Sequence, residues 1–193
     1  MSLSTRPLVL ASASPRRVEL LRGAGFVFEI VVPQVEEAHD AALTPAALTV
    51  ENARRKALEG CRLRPGARVI GADTLVYVDG DPLGKPADME EALAMVRRLS
   101  GRAHEVCTGV AFACDGSIEH ELHVITQVTF KALTDEVIRD YHAKMNPLDK
   151  AGAYGIQEHT EIVMAGMEGS FTNVVGLPVE EVAAALRGLA TSS

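Results

Sequence analysis

The chain has 193 residues, 47% of them apolar, and a formal charge of −7. That length fits one domain, or one domain with two lobes, around a sizeable core. With no Trp, five Phe and three Tyr, the core has to come mostly from Ala, Val, Leu and Ile. The acidic balance argues against a nucleic-acid or membrane-surface binder, which needs a broad basic face, but leaves room for a small anionic ligand held by a few local cations.

Leu8–Ala11 reads as a buried strand. The run is too short for a signal peptide or a membrane span, so a cytoplasmic protein is expected. Ser14 offers an N-cap and Pro15 a first helical residue for a helix that stops at Gly23 or Gly25. A strand is predicted over Phe26–Val32. Thr44-Pro45 repeats the cap-then-proline signal ahead of a helical stripe of Ala46, Val50, Ala53, Ala57 and Cys61.

Val69–Val78 reads as a strand and Asp79-Gly80 as a turn. Asp88 with Glu91 makes a capping box before a helix carrying Ala92, Met95, Val96 and Leu99, closed by Gly101. Val106–Ala113 and Glu121–Phe130 flank Asp115-Gly116 as a long hairpin. Thr134 caps a further helix. Asn146–Gln157 is a Gly-bearing loop, Glu161–Met167 a strand, and Pro178 opens the last helix. Helices and strands interleave, yet hairpins are mixed in. The expected fold class is therefore α/β, a mixed β-sheet with flanking helices, in one domain spanning 1–193.

Several segments carry chemistry. In Ser12-Ala13-Ser14-Pro15-Arg16-Arg17, two arginines enter the first turn of a helix, where unpaired N–H groups already favour anions. A phosphate among them removes the conflict; solvated arginines or local ion pairs are the plainer alternative. Gly71-Ala72-Asp73-Thr74 breaks an apolar strand with a carboxylate that is costly to bury unless it is paired or ligates a metal. Asp73 reads as a general base or metal ligand, or else as an acid at a strand mouth. Gly71 allows a close backbone approach, of the kind a ligand site often requires.

Glu36-Glu37 on the loop after Pro33 gains meaning only if Asp73 lies near, since hard divalent cations want several oxygens. Lys56 and Lys85 are singly surface lysines, but with Arg16 and Arg17 they make four cations, about what a triphosphate needs. Gln157 closes a specific, apolar loop and has the donor and acceptor that read a base edge, or that cap a backbone group. Cys61, Cys107 and Cys114 are odd in number and lack metal spacing, which fits buried thiols in a reducing compartment. The histidines match no metal motif and read as ordinary surface or core residues.

Taken in order, these segments resemble the Maf family of nucleotide pyrophosphatases, also described as septum-formation inhibitors. The resemblance runs from about Leu8 to about Leu189. It rests on Leu10-Ala11-Ser12-Ala13-Ser14-Pro15-Arg16-Arg17, Glu51-Asn52-Ala53 with Lys56-Ala57, Gly71-Ala72-Asp73-Thr74, Gly84-Lys85-Pro86, Leu99-Ser100-Gly101, Asp149 through Gln157, and Gly169-Ser170 with Val175-Gly176-Leu177-Pro178.

The resemblance implies two lobes around a substrate cleft, similar to the inosine-triphosphate pyrophosphatase fold, and a homodimer. It implies hydrolysis of a nucleoside triphosphate to the monophosphate and pyrophosphate with a divalent metal; in the mechanism expected here that ion, Mg²⁺ or Mn²⁺, is held by Asp73, Glu37 and the phosphates. Asp73 matches the proton acceptor; Arg16, Thr74 and Gln157 match positions that set base preference; Ser14, Arg17, Glu37, Lys56 and Lys85 match polar positions lining the cleft. The Gly-Ala-Tyr-Gly-Ile-Gln loop and Asp73-Thr74 are similar to the dTTP/UTP branch rather than the 7-methyl-GTP branch. The competing readings are that second branch and a nucleotide-sensing division regulator with little turnover. No nucleic-acid or membrane partner is expected.

Overall fold

A computed structural model describes residues 6–40 and 42–191. The elements open with β1 (Leu8–Ala11), α1 (Pro15–Gly23), β2 (Glu29–Val31), α2 (Pro45–Leu63), β3 (Arg68–Val78) and β4 (Asp81–Leu83). Then come α3 (Met89–Leu99), β5 (Ala103–Cys114), β6 (Ser117–Phe130) and α4 (Asp135–His142). A single 3-10 turn at Ala151–Ala153 precedes α5 (Thr160–Val163), β7 (Met164–Glu168), α6 (Phe171–Val175) and α7 (Val179–Thr191). The seven strands form one mixed sheet in the order β2-β1-β3-β5-β6-β7, with β4 paired to β3. β1 runs parallel to both β2 and β3, whereas β3–β4 and β6–β7 are antiparallel. The expected mixed α/β architecture is the one observed.

Two compact units emerge. The first takes the described residues up to Asp73, then Thr108–Val124, then Gly176 onward; the second takes Thr74–Cys107 and Ile125–Val175. In the first unit, period-two alternation sorts the strands into two faces. Leu10, Ile70, Ala72, Val110 and Phe112 join Leu21 of α1 and Val182 and Leu186 of α7. Val9, Ala11, Val69, Ala111 and Ala113 meet Ala53, Ala57 and Cys61 of α2.

The α2 contact is unusually close. A Cβ at Gly71 would stand 2.2 Å from the Ala53 carbonyl oxygen and 2.7 Å from the Ala57 nitrogen. A Cβ at Gly109 on β5 would stand 2.4 Å from the backbone of Thr49 and Val50. The close approach that Gly71 permits is thus to a helix backbone, not to a ligand. It also turns the helix. Leu48, Thr49, Asn52 and Gly60 are buried, while Ala46 and Val50 of the expected stripe are only half-buried.

In the second unit, Val76, Val78, Val96, Leu99, Val106, Val128, Phe130, Ile138 and Tyr141 form the core. His104 is buried there, its Nε2 2.8 Å from the Tyr154 hydroxyl and its ring edge-on to Phe130 and Tyr154.

Local signals held where their chemistry is local. Ser14, Thr44, Asp88 and Thr134 all cap helices with their side chains. Glu91 reaches back to the Ala87 N–H at 2.6 Å, one residue before the cap it was expected to serve. Asp79 and Gly80 both have positive φ, as do Asp115 and Gly116, the geometry that two-residue hairpin turns require.

Two expectations need correction. The strand expected over Phe26–Val32 shrinks to Glu29–Val31, because Phe26 and Phe28 pack against the Leu10–Leu21 cluster instead of extending the ladder. The strand expected over Glu161–Met167 begins only at Met164. The left-handed His159 launches a helical turn first, and the Val163 carbonyl at its end accepts from the Lys131 N–H. Strand β4 and helix α6 were not foreseen; both are short and carry no periodicity long enough to read.

Two tests follow from this packing. Gly71→Ala should lower the unfolding free energy by about 3 kcal/mol, because the new methyl meets rigid backbone; an unchanged urea midpoint would refute the contact. Burial pushes the His104 pKa down to about 4. The unfolded chain, with an ordinary value near 6.5, then takes up protons that the folded site refuses. Stability should therefore fall as pH drops from about 6.5 toward about 4. His104→Gln should flatten that limb in urea titrations run at several pH values.

Candidate active site

The site of the first unit is built on the same close contact. Asp73 lies two residues beyond Gly71, so strand alternation points it at α2. Asp73 is 6% exposed. The Lys56 ammonium donates to Oδ1 at 2.7 Å and the Asn52 amide to Oδ2 at 3.1 Å. Lys56 also meets Oε1 of Glu37 at 2.7 Å. One ammonium thus holds two carboxylates that are distant in sequence, and each of its contacts is an ion pair of good length.

The Glu37 segment is gripped by α2 at three successive residues. Arg55 Nη1 donates to the Glu36 carbonyl at 3.1 Å, Lys56 takes the Glu37 carboxylate, and the Asn52 Oδ1 accepts from the Ala38 N–H at 2.7 Å. Residues 52, 55 and 56 share one helical face, which is why they can act together.

The start of α1 lies in the same unit. The Ser14 hydroxyl accepts the Arg17 N–H, and the Ser12 hydroxyl accepts the Ser14 N–H. Arg17 does not simply point outward: Nε donates to the Gly176 carbonyl at 2.7 Å and Nη1 to the Ala72 carbonyl at 2.9 Å. Its side chain braces the strand one residue before Asp73. Burial pulls the Arg17 pKa below its ordinary value, while the Asp73 and Glu37 charges oppose that shift. The guanidinium therefore feels both carboxylates. Arg16, half-buried, follows the Pro15 that begins the helix.

In the second unit, Thr74 is half-buried on β3, and Lys85 and Gln157 are exposed. The Gly152 N–H donates to the Gly84 carbonyl at 3.0 Å, which ties the Lys85 segment to the loop that ends in Gln157. That loop is fixed from within. The Tyr141 hydroxyl lies 3.0 Å from the Gly155 nitrogen and 3.1 Å from its carbonyl oxygen, and His142 Nε2 donates to the Ala153 carbonyl. Lys150, 8% exposed, donates to the Asn146 carbonyl and to Asp149. Burial raises Tyr141 to about 12, so the hydroxyl stays protonated as a donor.

The structure thus brings together Ser14, Arg16 and Arg17 on one short helix start, and Glu37, Lys56 and Asp73 around one ammonium. Asn52 was quoted in a motif but given no role. The available signal was its position one turn before Lys56, a polar residue on a face of small apolar ones. The carbonyls of Gly176 and Glu36, which accept from Arg17 and Arg55, carry no signal, since a backbone acceptor does not depend on residue type.

Among the described residues no group of three or more His, Cys, Asp and Glu side chains is placed to hold a metal ion. Asp73 and Glu37 make a pair instead. Both carboxylates meet the Lys56 ammonium, and their oxygens are of the kind that could ligate a hard divalent cation.

Fold and centre together describe a mixed α/β protein with a lysine-bridged acid pair beside an arginine-bearing helix start. The same fold occurs in a solved HAM1 protein from Coxiella burnetii, with TM-score 0.57 and 18% identity, covering 95% of this chain and 99% of that one. Residues 7–189 match the Maf-like protein family, and the chain belongs to it. A dTTP/UTP pyrophosphatase of Akkermansia muciniphila is 48% identical over 183 residues, covering 95% of this chain and 96% of the relative. A dTTP/UTP pyrophosphatase of Vibrio cholerae is 47% identical over 175 residues, covering 90% and 93%. No helix among the described residues is long and apolar enough to cross a membrane.

Lys56→Met should leave two carboxylates facing each other without their cation. We expect a loss of about 2 kcal/mol, or about 5 °C in Tm, in chelator. Mn²⁺ should restore part of it by taking the vacated position. A variant with wild-type Tm in chelator would show that the bridge contributes nothing.

Proposed function

We propose that this chain is a nucleoside triphosphate pyrophosphatase that hydrolyses dTTP and UTP to the nucleoside monophosphate and pyrophosphate. Relatives 42–50% identical over most of the chain bear that name. The observation that carries the chemistry is the buried Asp73 carboxylate, with the Lys56 ammonium 2.7 Å from one of its oxygens.

In this reading a water attacks the α-phosphorus in line with the bond to the β-phosphate. The new O–P bond forms as the α–β anhydride bond breaks. Asp73 orients the water and accepts its proton, and the electron pair of the broken bond leaves with pyrophosphate. Lys56 holds the Asp73 and Glu37 carboxylates in place. A divalent cation held by Asp73 and Glu37 would supply neutralisation of charge on the phosphates. Ser14, Arg16 and the amides of the α1 start are assigned to phosphate oxygens. Arg17 is assigned to substrate too, although its Nε and Nη1 serve backbone carbonyls; its main task is to hold the strand end before Asp73. Lys85 is assigned to the triphosphate, and Thr74 and Gln157 to the base. A homodimer, which the family resemblance implies, and a cytoplasmic location belong to the same proposal.

A nucleotide panel of dTTP, UTP, dCTP, dATP, GTP and 7-methyl-GTP tests the substrate class by pyrophosphate release. We expect dTTP and UTP to lead and chelator to abolish the release. Asp73→Asn should lower turnover by about 10²-fold or more. Near-wild-type turnover in that variant would remove Asp73 from the reaction.

A further inference from the structure

Lys56 explains one oxygen of Asp73; the other is held by a residue that the reaction as described does not use. Asn52 is 2% exposed and sits on α2 one turn before Lys56. Its amide makes three contacts. Oδ1 accepts from the Ala38 N–H at 2.7 Å, Nδ2 donates to Asp73 Oδ2 at 3.1 Å, and Nδ2 lies 3.4 Å from the Ala38 carbonyl oxygen. The orientation of the amide is fixed by this chemistry. The flipped form would set the amide oxygen against a carboxylate and a carbonyl, and an NH₂ against an N–H.

Asn52 is therefore bonded both to the proton-accepting carboxylate and to the backbone next to the second acid. An amide suits that task because it donates and accepts at once. A carboxylate there would repel Asp73, and an aliphatic group would take this partner from the half-buried Ala38 N–H and from a buried carboxylate oxygen.

We propose that Asn52 is a positioning residue: it fixes the rotation of the Asp73 carboxylate and locks the Glu37 segment at a set distance from it. The inference rests on the pyrophosphatase reading for its kinetic consequence, but not for its structural one. With Asp73 Oδ2 held by Asn52 and Oδ1 by Lys56, the carboxylate cannot rotate about its Cβ–Cγ bond. Its remaining lone pairs keep one direction, which is what a base facing a water, or a ligand facing a cation, requires. Binding of the nucleoside triphosphate by Ser14, Arg16 or Lys85 involves no atom of Asn52.

The test compares wild type with Asn52→Leu, which keeps the volume and removes both bonds, and Asn52→Asp, which keeps the acceptor for Ala38 but removes the donor to Asp73. Three readouts are taken: steady-state kinetics with dTTP, binding of Mn²⁺ without nucleotide by electron paramagnetic resonance, and amide hydrogen exchange over residues 36–38. In folded Asn52→Leu we expect kcat to fall by about tenfold or more with KM within about twofold. Mn²⁺ binding should weaken severalfold, and the Ala38 amide should exchange faster. Asn52→Asp should keep Ala38 protected and still lose kcat, which separates the two bonds.

If Asn52→Leu keeps its kcat and Mn²⁺ affinity, or loses activity only in proportion to its unfolded fraction, the proposal is overturned. Should Asn52→Leu not fold, Asn52→Asp alone decides by the same kcat criterion. If wild type releases no pyrophosphate from dTTP or UTP, the functional reading fails. Mn²⁺ binding and exchange at Ala38 then still judge Asn52.

Discussion

The architecture of the first unit depends on one steric condition: the backbone of α2 lies against β3 and β5 with no side chain between them. Gly71 and Gly109 supply the missing Cβ atoms. Everything that Asp73 touches follows from this contact. A strand residue two positions beyond Gly71 must face the helix, and at that distance only short reaches are needed. An Asn and a Lys, one turn apart, close on the two carboxylate oxygens. A larger residue at position 71 would move the helix away and lengthen each of those bonds at once.

A second consequence concerns charge. A buried carboxylate without partners takes up a proton, and a buried ammonium without partners releases one. Asp73 and Lys56 are nearly buried, and each supplies what the other lacks, while Glu37 adds a second, half-exposed anion to the same ammonium. The charges sum to one more acid than base around Lys56, with the Arg17 guanidinium feeling the excess from the α1 side. Such a centre is suited to a cation or to the proton of a water. The adjacent helix start and Arg16 offer the opposite sign, suited to an anion. Both kinds of ligand can be met in the same unit.

The second unit works differently. Its loop from Lys150 to Gln157 is apolar and held by the buried hydroxyls of Tyr141 and Tyr154 and by His142. Burial raises both tyrosine pKa values and lowers those of His104 and His142, so all four rings remain neutral. These neutral donors and acceptors fix the loop's backbone beside the Lys150 ammonium, which is tied to the Asn146 carbonyl and Asp149. The loop ends at the exposed Gln157, and the Gly84–Gly152 bond keeps the Lys85 segment against the loop.

Much of this was legible in the chain itself. Ser14, Thr44, Asp88 and Thr134 announce helix starts because a capping side chain bonds backbone two or three residues away. The apolar runs Leu8–Ala11 and Val69–Val78 announce strands for an equally local reason. Asp73 stood out because a carboxylate interrupts an apolar run, and the ordered motifs were sufficient to place the chain in its family. Only the tertiary structure decided the partners. Lys56 reaches Asp73 across 17 residues, Asn52 across 21, and Arg17 reaches Gly176 across 159. Periodicity tells which face of an element is buried, but not which element covers it or how closely. Here closeness was set by two glycines whose partner, a helix backbone, has no signature of its own in the sequence.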